Sequence, residues 1–267
     1  MLGTGSGVGL LYGIILFLSD QMIVVEDIYK SFNHRPVLQG LSLRVEKGDI
    51  LAVIGGSGAG KSVFLKHITG LIRPDRGTIA VDGLQISHLR GKGLQTYRER
   101  LGFLFQGGAL FDSMTVFENV AFPLREKKRL PENQIRESVY EKLAHVGLQE
   151  EGEKYPAELS GGMRKRAALA RALITNPEIM LFDEPTTGLD PIIVNNVFQY
   201  IKSTHQEHGF TGIIVTHKIP KIFSVVQKVA LLSKGAIVAT GTSDEIQSSD
   251  NPAVQYFLTG GERGTNN

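Results

Sequence analysis

An α/β domain built on a largely parallel sheet, with a smaller antiparallel sheet and an inserted helical subdomain, is the fold class that three features of this sequence predict. Short β-branched runs alternate with helix-length stretches: Ile50 to Ile54 and then Lys61 to Gly70, later Ile179 to Asp183, Ile192 to His205 and Gly212 to Val215. That rhythm is the mark of strands joined by crossover helices. Strand-like pieces at Val37 to Val45 and Thr78 to Val81 carry turn signals instead, Lys47-Gly48-Asp49 and Asp82-Gly83, which suit tight antiparallel connections. Between about Met114 and Ile174 the texture becomes helical, including Gln134 to Val146 and Met163 to Ile174. The insertion is placed at about residues 107–175 of a domain running from 22 to 258.

The gross numbers agree with one globular unit. With 267 residues, 42% hydrophobic and 21% charged, the chain can bury a substantial core. Its 29 basic and 27 acidic residues leave a charge too balanced to make nucleic acid the partner. Without cysteine there are no disulfides and no thiolate-held zinc, as suits a reducing compartment.

The first 21 residues stand apart. A Gly/Ser opening leads into an apolar run, Val8 to Leu18, of eleven residues, short of the roughly 20 needed to span a bilayer. No lysine or arginine precedes Lys30, so the basic start of a signal peptide is missing. The segment reads as an appendage ahead of a strand-like run that Met22 opens; an interfacial anchor is the sharper alternative. Residues 259–267 have the composition of a frayed tail.

The chemistry begins at Gly55-Gly56-Ser57-Gly58-Ala59-Gly60-Lys61-Ser62, which fits G-x-x-x-x-G-K-[ST] between a strand and a helical run. Glycines let the backbone curl until its N–H groups converge on a phosphate, and the following helix points its N-terminus at the same anion. Lys61 adds a point charge for the β- and γ-phosphates, and the Ser62 hydroxyl is placed to ligate Mg²⁺. Downstream, Ile179 to Phe182 is a buried-strand pattern ending in Asp183 and Glu184, at the strand edge where α/β proteins bind ligands. Asp183 suits the hydrated metal, Glu184 the water that attacks the γ-phosphate.

At Leu159-Ser160-Gly161-Gly162-Met163 the sequence resembles the signature of ABC ATPases, and the resemblance extends from Met22 to about Leu258. The ordered set comprises the glycine loop, Gln106 after the run Leu101 to Phe105, the signature, Asp183-Glu184, Gly188-Leu189-Asp190, and His217 after Ile213 to Thr216. The resemblance implies a P-loop NTPase with a RecA-like core, ATP and Mg²⁺ as cofactors, and Gln106 as a further metal ligand and catalytic group. It implies that His217 senses the γ-phosphate, and that Asp190 signals across a head-to-tail homodimer in which Ser160, Gly161 and Gly162 of one copy close on the nucleotide of the other. Phe32 sits where the family carries an aromatic that stacks on adenine; Tyr29 is a substitute, and a core aromatic is the plain alternative. Arg164, Lys165 and Arg166 have the wrong sign for a helix N-terminus unless an anion is near, or else form a solvated face. Met163 replaces the usual glutamine and Phe32 the frequent tyrosine, neither of them a phosphate ligand.

The stretch from Phe105 to Glu126 is similar to the Mla-type ATPases of Gram-negative bacteria, which energise phospholipid movement between membranes. This resemblance implies a cargo of phospholipid, maintenance of outer-membrane lipid asymmetry and a place at the cytoplasmic face of the inner membrane. Its implied partners are a permease, an MCE-domain subunit and a STAS-domain subunit. Ala109, Leu110, Phe111 and Val116 would suit a groove for a permease helix, or ordinary core. An importer ATPase for a small polar solute shares the catalytic motifs and is the alternative. ABC ATPases that act on nucleic acid carry long coiled coils or zinc insertions before the signature. Here only about one hundred residues separate Lys61 from Ser160, without heptads or cysteine.

Overall fold

The computed structural model describes residues 21–127 and 130–260. The apolar run Val8 to Leu18, and with it the appendage up to residue 20, lies outside the described residues, as does the tail beyond Gly260. Gln21, assigned to the appendage from sequence, already pairs with Glu46 as the first residue of a strand.

Two sheets organise the chain. The strands β1 (Gln21–Phe32), β2 (Arg35–Glu46), β4 (Arg76–Val81) and β5 (Leu84–Gln85) form an antiparallel sheet in the order β2-β1-β4-β5. The turns anticipated at Gly48 and Asp82-Gly83 adopt the left-handed backbone such reversals need, with φ of +81°, +50° and +73°. The second sheet has six strands in the order β10-β9-β3-β8-β7-β6. They are β3 (Ile50–Ile54), β6 (Leu101–Leu104), β7 (Ile179–Asp183), β8 (Thr211–Thr216), β9 (Lys228–Ser233) and β10 (Ala236–Thr242). All but β10 run parallel.

Side chains alternate across this sheet, as period-two geometry requires. Ile50, Ala52 and Ile54 of β3 join one core with Met180, Phe182 and Ile214, while Leu51 and Val53 join a second with Ile179, Leu181, Ile213 and Val215. Burial on both faces explains why these strands read as unbroken apolar runs. The second core also takes Ile23, Leu41 and Ile79 of the antiparallel sheet and Phe64, Leu65 and Ile68 of α1 (Lys61–Ile68).

The first core is completed by helices. After α2 (Gly91–Glu99) and β6, the chain makes α3 (Val116–Lys127), α4 (Glu132–His145) and α5 (Gly161–Leu173) before entering β7, the neighbour of β6. Helix α6 (Pro191–His208) follows β7, and α7 (Ser243–Gln247) and α8 (Pro252–Leu258) follow β10. Val120, Val139, Leu169 and Val197, one from each of α3 to α6, share that core.

Candidate active site

The central parallel strands end almost level with one another, since Ile54 pairs with Thr216 and Asp183 with Val215. Gly55 to Ser62 follow β3, Glu184 follows β7, His217 follows β8, and Gln106 comes two residues after β6. Parallel strands thus deliver residues distant in sequence to one edge of the sheet. A cleft of about 510 Å³ there is lined by Ser57, Gly58, Ala59, Gly60, Lys61, Ser62, Val63, Gln106, Glu184 and His217, with Val37 of β2.

Local sterics fix the loop. A Cβ on Gly55 would lie 2.3 Å from the carbonyl oxygen of Leu232, so the loop leaves β3 where only hydrogen fits. Gly60 has φ +107°, which a side chain would strain, and it caps α1 so that the helix's free N–H groups face the cleft. Lys61, 7% exposed, donates to the carbonyls of Gly55 at 2.9 Å and Gly56 at 3.1 Å and lies 3.4 Å from Glu184 Oε1. Ser62 Oγ donates to Asp183 Oδ1 at 2.8 Å.

Glu184 is held on every side. Its N–H donates to Val215 O at 3.0 Å, Thr187 Oγ1 donates to Oε2 at 3.2 Å, and His217 Nδ1 stands 2.9 Å from Oε2. It adopts φ +48°, an uncommon conformation for a residue with a side chain, stored here at the end of β7. Burial pushes the Asp183 carboxyl above its ordinary range; the Ser62 hydrogen bond opposes this, and the neighbouring Glu184 charge adds to it.

The arrangement fits a magnesium nucleotide. Ser62, Asp183 and Gln106 each offer an oxygen of the hard kind Mg²⁺ takes, and one is a half-buried carboxylate whose hydrogen-bond partner is a neutral hydroxyl. Lys61 and the N-terminus of α1 supply the positive end for a phosphate chain.

Other candidates lie elsewhere. Ser160 caps α5, accepting from Met163 N at 3.3 Å, and neither it nor Gly161 nor Gly162 lines the cleft. Gly162 has a packing reason to be glycine, because a Cβ there would sit 2.5 Å from Ile193 Cγ2. Asp190 caps α6, with Oδ1 accepting from Ile192 N at 2.9 Å and Ile193 N at 3.1 Å. Phe32 ends β1 at 42% exposure, with the Lys30 ammonium 5.5 Å from its ring centroid, and is not among the cleft's lining residues. Tyr29 faces the Arg76 guanidinium.

Each of the three cations after the signature meets a carbonyl; Arg164 is exposed, Arg166 half-buried and Lys165 buried. Arg164 donates to Leu159 O at 2.7 Å, Lys165 to Gln106 O, and Arg166 to Val146 O at 2.7 Å and Gly147 O at 3.1 Å.

Residues 38–187 match the family described as ABC transporter. A relative from Haemophilus influenzae, the ATP-binding protein MlaF of an intermembrane phospholipid transport system, is 40% identical over 91% of this chain and 92% of its own length. This chain belongs to the ABC transporter family. The MlaF protein of Escherichia coli K12 is 39% identical to this ABC cassette over 90% of the chain and 89% of the relative. A probable ribonucleotide transport ATP-binding protein, mkl, of Mycobacterium tuberculosis is 43% identical over 89% of the chain, which spans only 66% of that relative's length. Among solved structures, cbiO1 of Clostridium perfringens, part of an ABC transporter complex, superposes with TM-score 0.80 at 30% identity, over 90% of this chain and 95% of that one. A dimeric ATP-binding cassette bound to ADP and Pi in a post-hydrolysis state gives 0.77 at 30% identity, over 83% and 99%. Among the cassette's described residues no helix is long and apolar enough to cross a membrane.

Sequence reasoning missed Val37 and Thr187 in the cassette's site, and Arg171, which donates to Gly108 O and Ala109 O, both at 2.7 Å. A hydroxyl three residues after Glu184 was a usable signal for Thr187. Val37 and Arg171 carry none, since their roles depend on tertiary approach.

Proposed function

We propose that this cassette hydrolyses ATP as a homodimer beneath an integral membrane permease and thereby drives phospholipid transport across the cell envelope, maintaining outer-membrane lipid asymmetry. The observation that carries hydrolysis is the position of Glu184, one residue past the metal-side Asp183 and within 3.4 Å of both Lys61 and His217. In this reading Lys61 and the loop N–H groups hold the β- and γ-phosphates, and Ser62, Asp183 and Gln106 hold magnesium. When bound, that ion neutralises charge that develops on the phosphate oxygens. Glu184 leaves Lys61, orients the attacking water and accepts its proton, while His217 keeps the carboxylate aimed. The signature turn at Ser160 lies outside its own cleft, which supports its service to a second copy, head to tail.

The phospholipid cargo is supported by the names of the MlaF relatives and by the stretch from Phe105 to Glu126. The mycobacterial relatives' name is the observation that favours a polar cargo instead. Localisation at the cytoplasmic face of the inner membrane, and MCE- and STAS-domain partners, belong to the same proposal. Purification from the native membrane in mild detergent, with mass spectrometry of proteins and lipids, tests it. A permease, an MCE-domain protein and phospholipid are expected; a solute-binding partner without lipid would overturn the cargo.

A further inference from the structure

Helix α5, which the Ser160 turn opens, carries a buried ammonium of its own. Lys165 is 7% exposed and donates to the backbone carbonyl of Gln106. A cation taken out of water persists only where fixed acceptors or anions replace its hydration. Burial pushes the Lys165 ammonium below its ordinary value, and the charges of Asp183 and Glu184 oppose this.

The segment after Gln106 is fastened to α5 at two further points. Gly108 lies against Ala168, where an added Cβ would come 3.3 Å from that of Ala168, and Arg171 holds the carbonyls of Gly108 and Ala109. Of these anchors Lys165 is the one that holds Gln106 itself.

We propose that Lys165 is a positioning residue for hydrolysis: from one turn inside the signature helix it fixes the backbone of Gln106. The helix facing one nucleotide is thereby tied to the metal-side groups of the other. The inference rests on the hydrolytic reading of the cleft and goes beyond it by naming a group outside the glycine loop and strand ends.

The test uses the full chain, with steady-state ATP turnover in Mg²⁺ and hydrogen–deuterium exchange read by mass spectrometry. For Lys165→Met, kcat is expected to fall about tenfold, as for loss of a hydrogen bond to a charged group. KM for ATP is expected to stay within about twofold. Amide exchange should quicken in peptides covering residues 105–110 and stay unchanged in those covering 55–62, and Lys165→Arg should restore most of kcat. Wild-type kcat in Lys165→Met, an effect on KM alone, no rescue by arginine, or quicker exchange throughout the core would overturn the proposal. If Lys165→Met does not fold, Lys165→Gln keeps a donor without the charge. Its kcat should fall below wild type, with exchange quickened at 105–110; wild-type values of both would overturn the proposal. A wild-type chain that turns over no ATP would overturn the hydrolytic reading first, whereas normal turnover in both wild type and variant overturns this inference alone.

Discussion

Glu184→Gln separates the two things Glu184 does. The carboxylate is buried, 3.4 Å from the Lys61 ammonium and 2.9 Å from His217 Nδ1. At an effective dielectric of about 20, unit charges at that separation from Lys61 attract by about 5 kcal/mol, much of which offsets the desolvation of both groups. Glutamine keeps the shape and can still accept from Thr187, so the loop stays built; it removes the charge that competes with a phosphate for Lys61. ATP affinity is therefore expected to hold or tighten. Turnover is expected to drop at least about a hundredfold through loss of the base, which corresponds to about 2.7 kcal/mol on the barrier. Phosphate release at saturating ATP and Mg²⁺ reads the loss of turnover and calorimetry the affinity. Light scattering should find a closed dimer accumulating with ATP. Turnover within about tenfold of wild type would remove Glu184 from the base role, and weakened ATP binding would refute the competition with phosphate for Lys61.

Three further outcomes are expected. Lys61→Ala should weaken ATP binding by about tenfold or more, since the phosphates lose a charged donor; unchanged affinity by calorimetry would contradict the glycine-loop assignment. Gly162→Ala should destabilise the chain by about 1–3 kcal/mol by forcing a methyl group onto Ile193, read as a lower urea midpoint with unchanged slope. Tyr97 donates its hydroxyl to Ile68 O at 2.6 Å, and burial pushes its phenol well above the usual value. A folded value above the unfolded one means stability is full below about pH 10 and is lost as pH rises towards the folded value. Tyr97→Phe should cost about 1 kcal/mol at neutral pH and flatten that alkaline decline in urea titrations; an unchanged decline would remove Tyr97 as its source.

What the sequence disclosed is what short-range chemistry encodes. The glycine loop, the Asp183-Glu184 strand end and the alternation of β3, β7 and β8 with helices are each local patterns, and the structure builds each where it was expected. Strands β9 and β10 gave weaker signals. Val229 to Leu232 is an apolar run too short to separate strand from helix by periodicity, and β10 is a partly exposed edge strand containing Gly241. The partners of the cations at 164 to 166 were not legible, because side chains that cap carbonyls look, in sequence, like any charged run. The cap that Asp190 gives α6 was legible, by contrast, from Asp-Pro before an apolar stretch.

The pairing of Ile54 with Thr216 and of Asp183 with Val215 gives the enzyme no intermediate grade of assembly. Sliding one strand by a single position would shift it about 3.3 Å and turn its side chains to the opposite face. If that strand is β7, Glu184 loses Lys61 and His217 together. A preparation damaged by heat or age should accordingly be a mixture of fully competent and wholly inert molecules, losing maximal rate in proportion to the inert fraction while the survivors keep their substrate affinity.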